Sequence, residues 1–141
     1  MNSPERKTNM LNCNTIDHYL HAILTLGRQF LVVRSVDVAA WLEYSKPSVS
    51  VAVKQMVQEE LVSIGTHGAL ILSADGEKRA HAFQERYDFF HCLLTKAGVD
   101  NYTAKKEASA IAGSLSASSL GHLKTYLRNL GIVFENCSAT D

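Results

Sequence analysis

Residues 45–58 carry hydroxyl, amide and amine groups at helical spacing, a combination suited to contacts with DNA. At 100° per residue, one face is apolar and expected to be buried: Val49, Ala52, Val53, Met56 and Val57. On the other face, hydroxyls and a lysine suit phosphates, while amides and a small apolar group suit base edges and thymine methyls. The residues expected to face DNA are Ser45, Pro47, Ser48, Ser50, Val51, Lys54 and Gln55. An ordinary amphipathic surface helix is the alternative.

Two histidines of the first expected helix are candidate metal ligands. His18 and His21 lie one turn apart, so both imidazoles could approach a single metal ion. They face away from the apolar stripe of that helix, and solvated histidines are the simpler interpretation. His91, on a later helix, is either a ligand or a hydrogen-bonded core histidine.

Bulk charge does not indicate a polyanion partner, because 14 basic and 14 acidic side chains leave a net charge of zero. Any field that attracts DNA must therefore be local. If only a few lysines and arginines of each chain touch phosphates, a dimer would be needed for useful affinity.

The cysteines and the apolar pattern predict a cytoplasmic protein. Cys13, Cys92 and Cys137 are odd in number, widely separated and without C-x-x-C spacing, which predicts reduced thiols. No apolar run is long enough to span a membrane, and residues 1–14 read as a flexible polar tail rather than a signal peptide. No nucleophile–base pair, phosphate-cradling glycine loop or paired-carboxylate motif points to an enzyme.

The elements around residues 45–58 predict how this candidate helix is held. Ser45 can cap it and Pro47 suits its first turn. Residues 34–44 form a shorter helix capped by Ser35, which makes a helix-turn-helix, and residues 15–26 form the first helix. Residues 61–64 and 69–72 are strand-like around a turn at 65–68, a hairpin that would form a wing. The order helix, helix, hairpin predicts a winged helix-turn-helix domain.

The second half of the chain is expected to be helical. Helices are predicted over 74–96, 103–115 and 116–129, and the last carries a leucine stripe that packs against another helix: Leu120, Leu123, Leu127 and Leu130. A homodimer built on this stripe would space two recognition helices about one DNA turn apart. We therefore expect a mainly α fold with a small β-hairpin. Its parts are a tail (1–14), the DNA-binding domain (15–75), a helical dimerisation domain (76–135) and a second tail (136–141).

Several short motifs resemble the diphtheria-toxin-repressor family of metal-dependent transcriptional regulators over about residues 15–130. The resemblance is closest to its short, manganese-regulator-like members, and it implies operator DNA as the partner. The motifs are Asp17-His18-Tyr19-Leu20 with Ile23, Val33-Arg34-Ser35-Val36-Asp37-Val38-Ala39, Pro47-Ser48-Val49-Ser50, Glu60-Leu61-Val62, Gly68-Ala69-Leu70-Ile71-Leu72-Ser73 and Gly76.

The same resemblance implies that the usual metal site is lost. It aligns His18, His21 and Tyr87 with metal-ligand positions of the family. The remaining ligand positions become Ser109, Ala112 and Gly113. Alanine and glycine have no donor side chain, and a serine hydroxyl is a poor substitute for a carboxylate. A manganese or iron site at these positions is therefore not expected.

Several alternatives remain open for what the protein senses. His18, His21 and His91, with Tyr87, would suit zinc, nickel, copper or haem iron. Lys105 or Lys106 could instead occupy the space of a lost cation and make the protein independent of metal. The chain could also lack a sensor and form a heterodimer with a related regulator, or respond to redox state through Cys92.

Overall fold

The computed structural model describes residue 11 and residues 13–132, so the two predicted tails fall largely outside the described residues. Along the described part of the chain, three α-helices come before a two-stranded hairpin and three come after it. This confirms the prediction of a mainly α fold with a small hairpin. The elements are α1 (Cys13–Gly27), α2 (Ser35–Leu42), α3 (Lys46–Gln58), β1 (Val62–Ile64), β2 (Leu70–Leu72), α4 (Ala74–Lys96), α5 (Asn101–Ser114) and α6 (Ala117–Asn129). The chain divides into two compact units, Met1–His81 and Ala82–Asp141, with the boundary inside α4.

The first unit has one apolar core between α1, α2, α3 and the hairpin. Leu20, Val49 and Met56 are fully buried there, one from α1 and two from α3. The two strands pair antiparallel, with Val62 opposite Leu72. Val62 is buried.

Val57 of α3 was expected in the core but is 39% exposed. It lies at the edge of the apolar face of α3 and so remains in contact with solvent.

Capping hydrogen bonds fix where the two helices of the helix-turn-helix begin. Ser45 caps α3, and its side-chain oxygen accepts from the Ser48 backbone N–H at 3.3 Å. The predicted Ser35 cap of α2 is wrong, because the N-cap residue is Arg34. The Asp37 carboxylate accepts from the Arg34 backbone N–H at 2.8 Å and so closes the start of that helix.

The junction between the wing and α4 depends on close backbone contact. The Ser73 hydroxyl donates to the Glu60 carbonyl at 2.8 Å and its oxygen accepts from the Gly76 N–H at 3.0 Å. A Cβ atom at Gly76 would overlap the carbonyl oxygen of Leu61. Glycine is therefore required for α4 to begin beside the strand.

The second unit buries small residues of α5 and larger side chains of α4. Ala104 and Ala108 are fully buried, as is Phe83. The Asp100 carboxylate accepts from the Thr103 backbone N–H at 3.0 Å and caps α5, which therefore begins at Asn101, two residues before the predicted start. This hydrogen bond lowers the pKa of Asp100, since it stabilises the ionised carboxylate.

Candidate DNA-binding face and predicted ligand positions

The outward face of α3 is open to solvent at six of the seven predicted DNA-facing positions. The exposed residues are Ser45, Pro47, Ser48, Ser50, Val51 and Lys54. Val51 is 51% exposed, although valine is usually buried. An exposed small apolar group between hydroxyls and an amine suits a major groove that presents phosphates and thymine methyls.

Ser45 and Ser48 form a local hydrogen-bonded pair at the start of α3. The Ser45 hydroxyl donates to Ser48 Oγ at 2.8 Å, while Ser45 Oγ accepts from the Ser48 N–H. In this arrangement Ser45 already uses its proton on Ser48. The Ser48 hydroxyl keeps its own proton, which is the group a phosphate oxygen needs.

Gln55 was predicted to face DNA, but in the structure its side chain is buried. Its side chain is 6% exposed. Its Oε1 accepts from the Leu11 backbone N–H at 2.8 Å, and its Nε2 donates to the Leu11 carbonyl at 3.0 Å and to Glu59 Oε2 at 2.8 Å. Helical periodicity put Gln55 on the outer face, but the chain at Leu11 covers it. Forty-four residues separate the two positions, so no local sequence signal indicated this contact.

The four candidate metal ligands are divided between the two units. His18 and His21 are half-buried on α1, and burial lowers the pKa of His18 despite the opposing effect of Asp17. Tyr87 and His91 lie on α4 in the second unit, where their rings stack at 5.8 Å between centroids. His91 Nε2 is hydrogen-bonded to Asn101 Oδ1 at 2.8 Å. Within the part of the chain that the structure describes, no three His, Cys, Asp or Glu side chains are grouped to hold a metal ion.

One of the other ligand positions implied by the resemblance, Ala112, is hydrogen-bonded to a buried arginine. Ala112 and Gly113 are buried on α5, and Ser109 is half-buried. Arg86, only 8% exposed, donates from Nε to the Ala112 carbonyl at 2.8 Å, and its guanidinium carbon lies 5.9 Å from the Phe83 ring centroid. A fixed positive charge therefore stands beside the backbone of α5.

Cys92 is not a free thiol. It is 3% exposed and disulfide-bonded, so the expectation of three reduced cysteines is wrong at this position. Cys13 and Cys137, the two other cysteines of the chain, have side chains that lie outside the described part. A redox response through an accessible Cys92 thiol is therefore not supported. Among the described helices, none combines the length and apolar character needed to cross a membrane.

The first unit defines the class of protein. A helix-turn-helix with a capped, solvent-facing second helix, followed by a hairpin wing, is the architecture of winged-helix DNA-binding regulators. A helical unit follows it, as in regulators that add a separate dimerisation or sensing part.

Comparison with known proteins finds similar transcriptional regulators. No family model matches the chain. It is 28% identical to the transcriptional regulator MntR of Escherichia coli over 116 residues, which cover 82% of this chain and 75% of the relative. The manganese regulator SloR superposes with a TM-score of 0.68 at 22% identity, and ScaR with bound Zn²⁺ with 0.61 at 20% identity. Each match covers 80% of this chain. This chain spans 53%, about half, of the length of each of the two structures.

These similarities confirm the resemblance seen in the sequence motifs. The chain is similar to transcriptional regulators of the diphtheria-toxin-repressor family, MntR among them.

Proposed function

We propose that the chain binds operator DNA as a homodimer through the outward face of α3, and that this binding requires neither manganese nor iron. The observation that carries the DNA-binding part is the exposure of Ser48, Val51 and Lys54 along one side of a helix whose other side is buried. Serine and lysine would hold phosphates, and Val51 would contact a thymine methyl.

Exposed apolar side chains on α6, and on Leu130 directly after it, support the homodimer. Leu123, Tyr126 and Leu130 are 37%, 61% and 58% exposed and follow one another at three- and four-residue spacing. Such a stripe favours packing against another helix, and a second copy of the same helix satisfies it symmetrically. A dimer also doubles the number of phosphate contacts, which a chain of zero net charge needs.

Independence from manganese and iron is supported by the donor chemistry at the aligned positions. Ala112 and Gly113 supply no donor side chain, and Ser109 supplies only a neutral hydroxyl. The guanidinium of Arg86 adds a positive charge beside Ala112, which opposes the binding of a second cation. These residues do not suit Mn²⁺ or Fe²⁺.

The test is binding to DNA upstream of the protein's own gene, at near-physiological salt, with and without a strong chelator. We expect binding that the chelator leaves unchanged, together with at least tenfold weaker binding by a Ser48→Ala/Lys54→Ala variant that remains dimeric. Loss of binding in chelator would contradict metal independence. Full binding by the double variant would contradict the assignment of α3.

A site for zinc, nickel, copper or haem iron that includes His18 and His21 is the second candidate. It is favoured by the imidazoles at two aligned ligand positions and by the half-buried His18. Titration calorimetry with Zn²⁺, Ni²⁺, Cu²⁺ and haem, on the unaltered chain and on His18→Ala and His21→Ala variants, distinguishes this site from metal-independent binding. A binding heat that is lost in both variants supports the site, and the absence of any binding heat with the unaltered chain rejects it.

A partner protein without its own sensor is the third candidate, and it rests on the same exposed face of α6. Co-expression with a related regulator, followed by native mass measurement, separates this from the homodimer. Only a sensorless partner is expected to give a stable mixed dimer in place of the homodimer.

A further inference from the structure

Gln55 lies on the outward side of α3, although its side chain is covered. At 100° per residue, its direction differs by about 20° from that of Ser48 and by about 40° from that of Val51, and both of these residues are exposed. The Gln55 side chain is only 6% exposed because the backbone of Leu11 is hydrogen-bonded to its carboxamide. Without that contact, the carboxamide would stand beside Val51 on the proposed DNA-binding face.

The carboxamide of Gln55 makes a paired donor and acceptor contact with the Leu11 backbone. Its Oε1 accepts from the Leu11 N–H at 2.8 Å, and its Nε2 donates to the Leu11 carbonyl at 3.0 Å. Nε2 also donates to Glu59 Oε2 at 2.8 Å, and since an ionised carboxylate only accepts, this bond fixes which end of the amide is the donor. Gln55 therefore offers one acceptor and one donor side by side, in a fixed order.

The Leu11 backbone presents to Gln55 the same pair of groups as the major-groove edge of adenine. Adenine has an amino donor at N6 and an acceptor at N7, and a glutamine carboxamide pairs with both. Guanine has acceptors at both N7 and O6, so Oε1 of Gln55 would find no donor there. Exchange of Leu11 for adenine keeps the number of hydrogen bonds, whereas exchange for guanine loses one.

The position of Gln55 along α3 also suits a base edge. It follows Val51 by four residues, a rise of about 6 Å, and base pairs are spaced about 3.4 Å apart. For a helix lying along the major groove, the two side chains are thus about two base-pair steps apart. Leu11 is only partly buried against the core of the first unit, so its contact with Gln55 can break without opening that core.

We propose that Gln55 reads an adenine in the major groove, and that the Leu11 backbone occupies its carboxamide until DNA takes that place. The inference rests on the proposed function, because it requires α3 to lie in a major groove. It adds a specificity-determining residue to Ser48, Val51 and Lys54. DNA without an adenine at the matching position leaves the contact between Gln55 and Leu11 closed and gains nothing from the amide.

The test compares two versions of the DNA duplex from upstream of the protein's own gene, synthesised with adenine or with 7-deazaadenine at every adenine position. The analogue keeps the N6 amino donor and the base pairing but lacks the N7 acceptor. The affinity of the unaltered chain is expected to fall about twofold to tenfold with the analogue, because each bound chain loses one hydrogen bond. Gln55→Leu has no donor for N7, so it should bind the two duplexes with similar affinity.

Two further variants test the role of Leu11 and the specificity of the effect. Leu11→Pro removes the N–H that holds Gln55 Oε1, so it should bind the adenine duplex more tightly than the unaltered chain does and enlarge the effect of the analogue. Leu11→Ala, which loses only the apolar contact, replaces it if thermal unfolding shows that the proline variant does not fold. Gln84→Leu removes an amide from α4 that is bonded to Asp88, and it should keep the full effect of the analogue.

The outcomes separate this inference from the proposed function. If the unaltered chain binds neither duplex, both are wrong. If it binds the two duplexes equally, or if Gln55→Leu shows the same loss with the analogue, Gln55 does not read adenine although α3 binds DNA. If Gln55→Leu abolishes the loss but a folded Leu11 variant binds the adenine duplex no more tightly, Leu11 does not compete with DNA for the amide.

Discussion

Arg79 at the start of α4 holds Asp17 of α1 through two nitrogens on one carboxylate oxygen. Nη2 lies 2.7 Å and Nε 2.8 Å from Asp17 Oδ1. The carboxylate side chain is 15% exposed and the guanidinium side chain 32%, so the pair is partly shielded from water. Within the first unit, the pair joins the helix before the helix-turn-helix to the helix after the wing.

We expect the Asp17–Arg79 pair to stabilise the first unit by about 1 kcal/mol, more than a fully exposed ion pair does, because it is charge-assisted and partly shielded. A double-mutant cycle with Asp17→Asn and Arg79→Met, followed by urea unfolding, measures the coupling. The same cycle on Glu85 and Lys124, a pair 2.7 Å apart whose carboxylate side chain is 62% exposed, is the comparison and should give a smaller value. Equal couplings would show that shielding contributes nothing.

Gly76→Ala is expected to destabilise the protein by about 1–3 kcal/mol, because the added methyl group overlaps the backbone carbonyl of Leu61 and cannot move away. Gly121 in α6 is the matched control, since a Cβ there meets no atom within 4 Å. Gly121→Ala should stabilise by about 0.5–1 kcal/mol through helix propensity. Unfolding in urea at neutral pH measures both, and similar effects of the two substitutions would contradict the close contact at Gly76.

Asp100 should make the second unit more stable above the usual titration range of aspartate than below it. Its folded pKa lies below the ordinary value of 3.8 because the carboxylate caps α5 through the Thr103 N–H. The stabilisation is therefore present above pH 3.8 and is lost as the pH falls through the lower folded pKa. Asp100→Asn keeps a capping oxygen but no titration, so its urea midpoint should fall less between about pH 5 and pH 3. Identical pH profiles for the two proteins would contradict this assignment.

The sequence predicted the secondary structure well because local signals determine it. The Ser45 cap, the apolar periodicity of α3 and the turn at residues 65–68 all depend on neighbouring residues, and the observed elements agree with them. The burial of Gln55 depends instead on its contact with Leu11, which no local sequence pattern indicates. Cys92 was misassigned for a similar reason, since its pairing depends on a cysteine far away in the chain. Sequence periodicity thus identified the exposed face of α3 but not which residue at its edge another segment covers.

Two valines of α3 allow the DNA-binding face to be tested with one type of substitution. Val51 is 51% exposed on the proposed DNA-binding face, whereas Val57 is 39% exposed near the end of the same helix, about 120° away. Val51→Glu introduces a negative charge against phosphates and removes the apolar contact, so binding should weaken at least tenfold, equivalent to about 1.4 kcal/mol. Val57→Glu adds the same charge away from the groove and should weaken binding much less. Fluorescence anisotropy with a labelled DNA duplex from upstream of the protein's own gene measures the affinity of both variants, and thermal unfolding checks that both remain folded. Equal losses of affinity would mean that α3 does not present its Val51 side to DNA.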